Sequence, residues 1–219
     1  VLTHPGDYFY PGADLLRVLY LWEGGLAIFG AVLLGLVGII IGTRRAGIPL
    51  LLFLDALAPG MLVAQAVGRL GNYFNQELFG PPTTLPWGLQ IDPGSPAIPP
   101  GTPEGTLFQP LFLYELLWNL LGAAVILIVE RIRRLDGHPA AGTGLSLGLY
   151  LLWYGFGRAF LESIRLDPTE LLAGGIKANI VTAVIAAVLG VGVIVYAQWR
   201  TRRAAAVLAG DEAAHAEAE

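Results

Sequence analysis

A chain of 219 residues that is 55% hydrophobic and only 14% charged has too little polar surface for a soluble domain. Its formal net charge of -4, much of it in the stretch Asp211 to Glu219, offers no basic excess and argues against a nucleic-acid partner. The absence of cysteine excludes a disulfide frame and thiolate metal sites. His4, His138 and His215 lie too far apart in sequence to suggest a metal cluster, and nothing in the composition calls for a cofactor.

The chain opens Val1-Leu2-Thr3-His4-Pro5, with no basic leader and cleavage site ahead of its first apolar run, so the reading expects further residues before Val1. Runs of about 20 apolar residues cross a bilayer as helices. Five such spans are predicted: from about Leu26 to Gly42, Pro49 to Val67, Pro110 to Val129, Gly144 to Leu161, and Asn179 to Gln198. Their frequent glycines suit close helix contact in lipid. The expected fold is therefore all-α, a polytopic transmembrane helical bundle with no internal repeat.

Arginine sets the expected orientation. Arg44 and Arg45 follow the first span, Arg131, Arg133 and Arg134 the third, and Arg200, Arg202 and Arg203 the fifth. All three clusters fall on one face, which the positive-inside rule makes cytoplasmic. The segment from Leu78 to Gln109, without Lys or Arg, then lies outside. Its Pro, Gly and Thr content reads as an ordered loop or small extramembrane arm rather than a core. The connection from Ile164 to Lys177 is also outside. Residues 1–203 form the membrane domain, and the Ala-rich acidic stretch 204–219 reads as a flexible cytoplasmic tail.

Three polar groups stand near membrane depth, where such residues are costly and usually functional. The first is Gly68-Arg69-Leu70-Gly71-Asn72-Tyr73-Phe74-Asn75-Gln76-Glu77-Leu78-Phe79-Gly80, after the second span. On a continuing helix Arg69, Asn72 and Tyr73 share a face. A plain interfacial helix end with a snorkelling arginine is the simpler alternative, but the density of polar side chains argues against it. The second group is Tyr154, Arg158 and Glu162, whose spacing of four and four places them on one helical stripe. The alternative there is an interhelical ion pair that satisfies only itself. The third is Phe108-Gln109-Pro110-Leu111-Phe112-Leu113-Tyr114-Glu115, with Pro110 suited to a first turn and Asn119 one turn beyond Glu115. Capping plus an interhelical hydrogen bond would explain it equally well. All three groups fall on the outer side, where Arg69 and Arg158 could each fork onto a phosphate. Such a cationic cavity suits an anionic phospholipid headgroup.

The first group resembles the characteristic motif of the prolipoprotein diacylglyceryl transferases, matching glycines and polar residues at many fixed positions. The other two groups, and Trp22-Glu23-Gly24-Gly25-Leu26, are similar to the same family. The Gly-Gly-Leu-Ala-Ile-Phe-Gly and Phe-Gln-Pro forms look like its actinobacterial branch. The family has seven membrane helices, so the resemblance implies about two ahead of the five predicted here.

The resemblance also implies a reaction: transfer of a diacylglyceryl group from phosphatidylglycerol to the lipobox cysteine of a prolipoprotein signal peptide, with a thioether formed and glycerol phosphate released. The enzyme would sit in the bacterial plasma membrane with its site facing outward. The resemblance makes Arg69 the phosphatidylglycerol-binding arginine and puts Asn72, Asn75, Glu77 and Gly80 within the motif, with Gln109 and Glu115 as further substrate-binding positions. Tyr154, Arg158 and Glu162 match a catalytic stripe. One departure matters: Phe29 and Gln109 stand where family members carry histidines. A carboxylate, Glu77 or Glu162, a residue ahead of Val1, or the lipid phosphate itself would then take the proton from the thiol. A transporter or channel for an anionic or lipid substrate is the rival class, and would place polar residues at several depths; here the inner halves of the spans read as largely apolar. A non-catalytic assembly subunit would show small-residue packing faces without clustered Arg, Glu and Asn.

Overall fold

Each predicted span becomes a helix. The computed structural model describes residues 28–95, 98, 100–139, 141–166 and 177–218, and of these all side chains but those of 28–31, 204, 205 and 207–218. The helices are α1 (Ile28–Ala46), α2 (Leu50–Phe74), α3 (Leu111–Leu135), α4 (Leu145–Ile164) and α5 (Ala178–Ala218). Among the described residues, three stretches are long and apolar enough to cross a membrane: Leu50–Phe74, Leu111–Leu135 and Ala178–Arg203. The helical backbone of α5 continues past Arg203 through the stretch expected to be a tail. The chain divides into two units, 1–50 and 51–219.

In the first unit, α1 closes on Gly47, which adopts φ 69°. Its N–H bonds the Arg44 carbonyl at 3.3 Å, and that of Ile48 bonds the Thr43 carbonyl at 2.9 Å. Glycine accepts this left-handed turn without Cβ strain, and Arg44 and Arg45 lie favourably at the negative end of the helix dipole.

In the second unit, α3 and α4 pack through a reciprocal exchange. Trp118 of α3 lies over Gly157 of α4, and Trp153 of α4 lies over Gly122 of α3. The rings stack at 4.4 Å between centroids. Each indole N–H bonds the other's carbonyl, Trp118 to Trp153 at 3.2 Å and Trp153 to Trp118 at 2.9 Å. The sequence basis is one spacing used twice, a tryptophan four residues before a glycine, so that ring and cavity lie on the same face. Between α4 and α5 the backbones themselves approach. A Cβ on Gly148 would stand 2.7 Å from the Ile194 side chain, and one on Gly190 would stand 2.6 Å from the Leu152 nitrogen. Small residues permit such contact, which van der Waals packing then rewards. The outward faces are apolar: Val188 is 66% and Val195 60% exposed.

Asp55 of α2 ties this unit together at the end where Arg133 and Arg200 bond the approach to α4. It is fully buried. Its carboxylate accepts the N–H groups of Gly142 and Gly144 at 2.8 Å each and of Leu147 at 3.0 Å. Those donors belong to the approach and first turn of α4, which lack partners within the helix, and the anion also opposes the positive end of the α4 dipole. The sequence reading passed over Asp55, because its donors lie far along the chain.

The segment between α2 and α3 is ordered. Strands β1 (Pro82–Thr83), β2 (Leu89–Gln90) and β3 (Leu107–Phe108) form an antiparallel sheet in the order β1-β3-β2. Thr83 faces Leu107 and Leu89 faces Phe108. Phe79, Ile91 and Phe108 form a buried cluster beneath it. The expectation of an all-α chain is thus corrected in this arm, as is the expectation that the arm holds no core. Strands of two residues carry no alternation to read.

Candidate functional site

The site is built where α2 ends, α3 begins and α4 ends. The last turn of α2 closes on Gln76, a non-glycine residue at φ 54°, and Leu78 follows at φ 59°. The Gln76 N–H bonds the Tyr73 carbonyl at 3.2 Å, and the Glu77 N–H bonds the Asn72 carbonyl at 2.9 Å. This is the geometry that glycine supplies after α1, here adopted twice by side-chain-bearing residues at a cost of about 1–2 kcal/mol each. The consequence is positional. The turn folds Glu77 back so that its Oε2 accepts from Asn72 Nδ2 at 3.1 Å. Gln76 Oε1 accepts the Asp92 N–H of the arm at 2.7 Å, which holds the turn from above.

From Asn72 a chain of polar contacts crosses the bundle. Arg69 Nη1 donates to Asn72 Oδ1 at 3.1 Å. Arg69 Nε stands 3.4 Å from Glu115 Oε1, and Arg158 Nη1 stands 3.4 Å from Glu115 Oε2. One buried carboxylate therefore lies between two guanidiniums from different helices. Arg158 Nη2 is 3.0 Å from Glu162 Oε2, the predicted i to i+4 pair, and Arg165 Nη1 is 3.7 Å from the same oxygen. Asn179 Nδ2 donates to Glu162 Oε1 at 3.3 Å. The Lys177 ammonium donates to the backbone carbonyls of Glu162 and Arg165 at 2.8 and 3.0 Å. Arg69 keeps 27% of its side chain exposed and Arg158 13%, while Glu115 keeps 5% and Glu162 none. The arginines are thus the reachable members and the two inner glutamates their buttresses.

The charges are close but not all well aligned. Arg69 Nε and Glu162 Oε2 are buried and make no aligned hydrogen bond among the described residues. One turn further in, Asn119 Nδ2 and Gln65 Oε1 are likewise without one, while Gln65 Nε2 donates to the Tyr150 hydroxyl at 3.0 Å. Buried polar atoms without an aligned partner, two donors and two acceptors, are thus gathered on α2, α3 and α4 beside the partly exposed Arg69 side chain.

The structure brings together six of the ten residues expected from sequence: Arg69, Asn72, Glu77, Glu115, Arg158 and Glu162. Gly80 and Gln109 meet through their backbones, with the Gly80 N–H on the Gln109 carbonyl at 2.8 Å. A Cβ on Gly80 would press on Leu111 at 3.1 Å, so its role there is packing of the arm against α3. Asn75 is exposed at the turn. Tyr154 stays on the helical stripe of Arg158 and Glu162 but makes its ring contact one turn inward, stacking on Tyr150 at 6.2 Å. Tyr73, expected beside Arg69, packs on Phe112 at 5.5 Å. His4 and Trp22 to Leu26 lie outside the described residues, as do the side chain of Phe29 and residues 167–176. Sequence reasoning missed Arg165, Lys177 and Asn179 as members. Arg165 had a signal, three residues after Glu162 on the same face; Asn179 had none, since its contact is made between helices.

Residues 1–196 match the family described as prolipoprotein diacylglyceryl transferase. The chain belongs to that family. It is 56% identical over 196 residues to the phosphatidylglycerol–prolipoprotein diacylglyceryl transferase of Leifsonia xyli, covering 87% of this chain and 57% of the relative. It is 43% identical to the protein of that name from Bifidobacterium longum, covering 86% and 61%. It is 44% identical to that of Mycobacterium tuberculosis, covering 96% and 45%. The chain thus spans about half the length of the curated relatives it matches. Within this diacylglyceryl transferase family chain, the whole Arg69–Glu162 network falls inside the matched residues.

Proposed function

We propose that the complete protein transfers a diacylglyceryl group from phosphatidylglycerol to the lipobox cysteine of a prolipoprotein. The observation that carries this reading is the placement of Arg69 and Arg158 on either side of Glu115. Across the network, Arg69, Arg158, Arg165 and Lys177 stand against Glu77, Glu115 and Glu162, one formal positive charge in excess. A phosphodiester brings the matching negative charge. Guanidiniums held by buried carboxylates do not have to reorganise as charge builds on a departing phosphate, which is where electrostatic catalysis is largest.

The step balances as follows. The cysteine sulfur attacks the glyceryl carbon that carries the phosphate; the carbon–oxygen bond breaks, and glycerol phosphate leaves with the electron pair. The thiol proton goes to a carboxylate. Glu77 suits this role better than Glu162, since it is exposed at the turn after α2 whereas Glu162 is fully buried. A free thiol has pKa ~8.5, so the growing thiolate needs a cation beside it, and Arg69 is linked to Glu77 through Asn72. Asn75, Gly80, Gln109 and Tyr154 shape the surroundings.

The same reading makes the chain a five-span bundle in the bacterial plasma membrane, with the arm at 78–109 and the Arg69–Glu162 network outside and α5 ending in the cytoplasm. Residues 204–219 form its cytoplasmic tail. Transport is the second reading, because buried or half-buried polar residues do occur at several depths: Asp55, Gln65 with Asn119, and Arg69. Two features count against a pathway. Asp55 is fully engaged with backbone N–H groups, and Leu62, Ala123 and Ile126 form a buried apolar cluster between the Asp55 and Gln65 levels.

The test is incubation of the complete gene product with phosphatidylglycerol and a lipobox peptide, followed by peptide mass. A diacylglyceryl mass gain that Arg69→Ala lacks is expected. No gain from well-folded protein would turn attention to lipid or ion flux.

A further inference from the structure

A cationic cavity lies at the end of the helices opposite the Arg69–Glu162 network. Glu115 and Arg133 are about five turns apart on α3, roughly 27 Å along its axis, close to the ~30 Å thickness of a bilayer's hydrocarbon core. Around Arg133 is a cavity of about 190 Å³ lined by Thr143, Leu145, Ala197, Gln198, Thr201 and Arg202. On α5 the pairs Ala197 with Thr201 and Gln198 with Arg202 are each four residues apart, so one face supplies the wall.

The lining is rich in unspent donors. Arg133 uses Nε on the Pro139 carbonyl at 3.3 Å, which leaves its terminal nitrogens. Neither Arg133 nor Arg202 is paired with a carboxylate among the described residues. Of the acids nearby, Glu130 Oε1 accepts from Ser146 at 2.7 Å, Asp55 holds three backbone N–H groups, and Asp136, at the C-cap of α3, is exposed. Thr143 is 8% exposed; its oxygen accepts the Leu145 N–H at 3.2 Å, so its own proton is free to donate. Beside the cavity Tyr196 and Trp199 are 49% and 53% exposed, and the Arg203 guanidinium sits 5.4 Å from the Trp199 ring centre. Half-exposed Tyr and Trp beside arginines mark headgroup depth. A basic pocket between helices at that depth is suited to an anionic headgroup, and the cavity is large enough for a phosphate while leaving acyl chains in the bilayer.

We propose that this pocket, formed by Arg133 and Arg202 with Thr143 and Gln198, binds the phosphate of an anionic membrane phospholipid in the leaflet opposite the Arg69–Glu162 network. It is independent of the transfer reaction.

The test is native mass spectrometry of the complete protein released from zwitterionic micelles, titrated with phosphatidic acid, with phosphatidylcholine of the same chains, or with glycerol phosphate. All arms carry Arg69→Ala, which weakens anion binding at the other end. One phosphatidic acid should be retained, and Arg133→Gln/Arg202→Gln should weaken it roughly thirtyfold, the factor expected for two interfacial charges. Thr201→Trp, which fills the cavity without changing charge, should also release it. Equal retention in the double variant, or of phosphatidylcholine, would overturn the proposal. Displacement by glycerol phosphate as effective as by lipid would make it a free-phosphate site and overturn the lipid assignment. Full retention in Thr201→Trp would reduce the effect to surface charge and remove the pocket.

Discussion

The two ends of the helices solve the problem of a buried charge in opposite ways. At one end Asp55 accepts three backbone N–H groups at 2.8 to 3.0 Å and is closed to solvent. At the other, Glu115 and Glu162 face guanidiniums at 3.0 to 3.7 Å with imperfect alignment, and Arg69 remains partly open. A satisfied anion fixes architecture; the partly satisfied cationic network is the one proposed to meet a ligand. The backbone repeats the contrast, since the turn after α1 uses glycine while the turn after α2 forces Gln76 and Leu78 to positive φ.

Asp55→Ala breaks the comparison most severely. It leaves three buried N–H groups without their acceptor, and should lower stability by about 3–5 kcal/mol, seen as a lower melting temperature of the complete protein in micelles. An unchanged melt would mean that α4 is held by its glycine contacts alone.

Arg69→Ala should act in the other currency. Turnover should fall about 10²–10³-fold, as for loss of one electrostatic stabiliser of a leaving group, with melting nearly unaltered because Arg69 is partly exposed. A large melting change with turnover retained would make Arg69 structural and erase the distinction between the ends. Glu77→Gln sharpens the same point: it should slow transfer while leaving phosphatidylglycerol binding near wild type, and loss of binding instead would move Glu77 out of the proton-transfer role.

Smaller effects separate strain from contact. Gln76→Ala and Gln76→Gly both remove the bond to Asp92, but only glycine relaxes the positive φ. The glycine variant should be the more stable of the two by about 1 kcal/mol, measured by denaturation midpoints. Trp118→Phe keeps a ring over Gly157 but removes the N–H to Trp153, and should cost about 1 kcal/mol; a much larger loss would mean that ring shape dominates the α3–α4 joint.

Much of this was legible in the chain. Apolar run length located the helices to within a few residues at most ends, since burying backbone polar groups in lipid demands helix whatever the partner. The i to i+4 spacing of Arg158 and Glu162 was enough to pair them, and the Arg69–Gly80 motif was visible because its residues are neighbours. What the sequence alone could not decide was everything made between helices: that Glu115 lies between Arg69 and Arg158, that Asp55 caps α4, that Asn179 reaches Glu162. Those contacts depend on rotation and depth of whole helices relative to one another. Depth and rotation are set by packing, through Trp118 on Gly157 and Gly148 against Ile194, and packing has no period along a single chain.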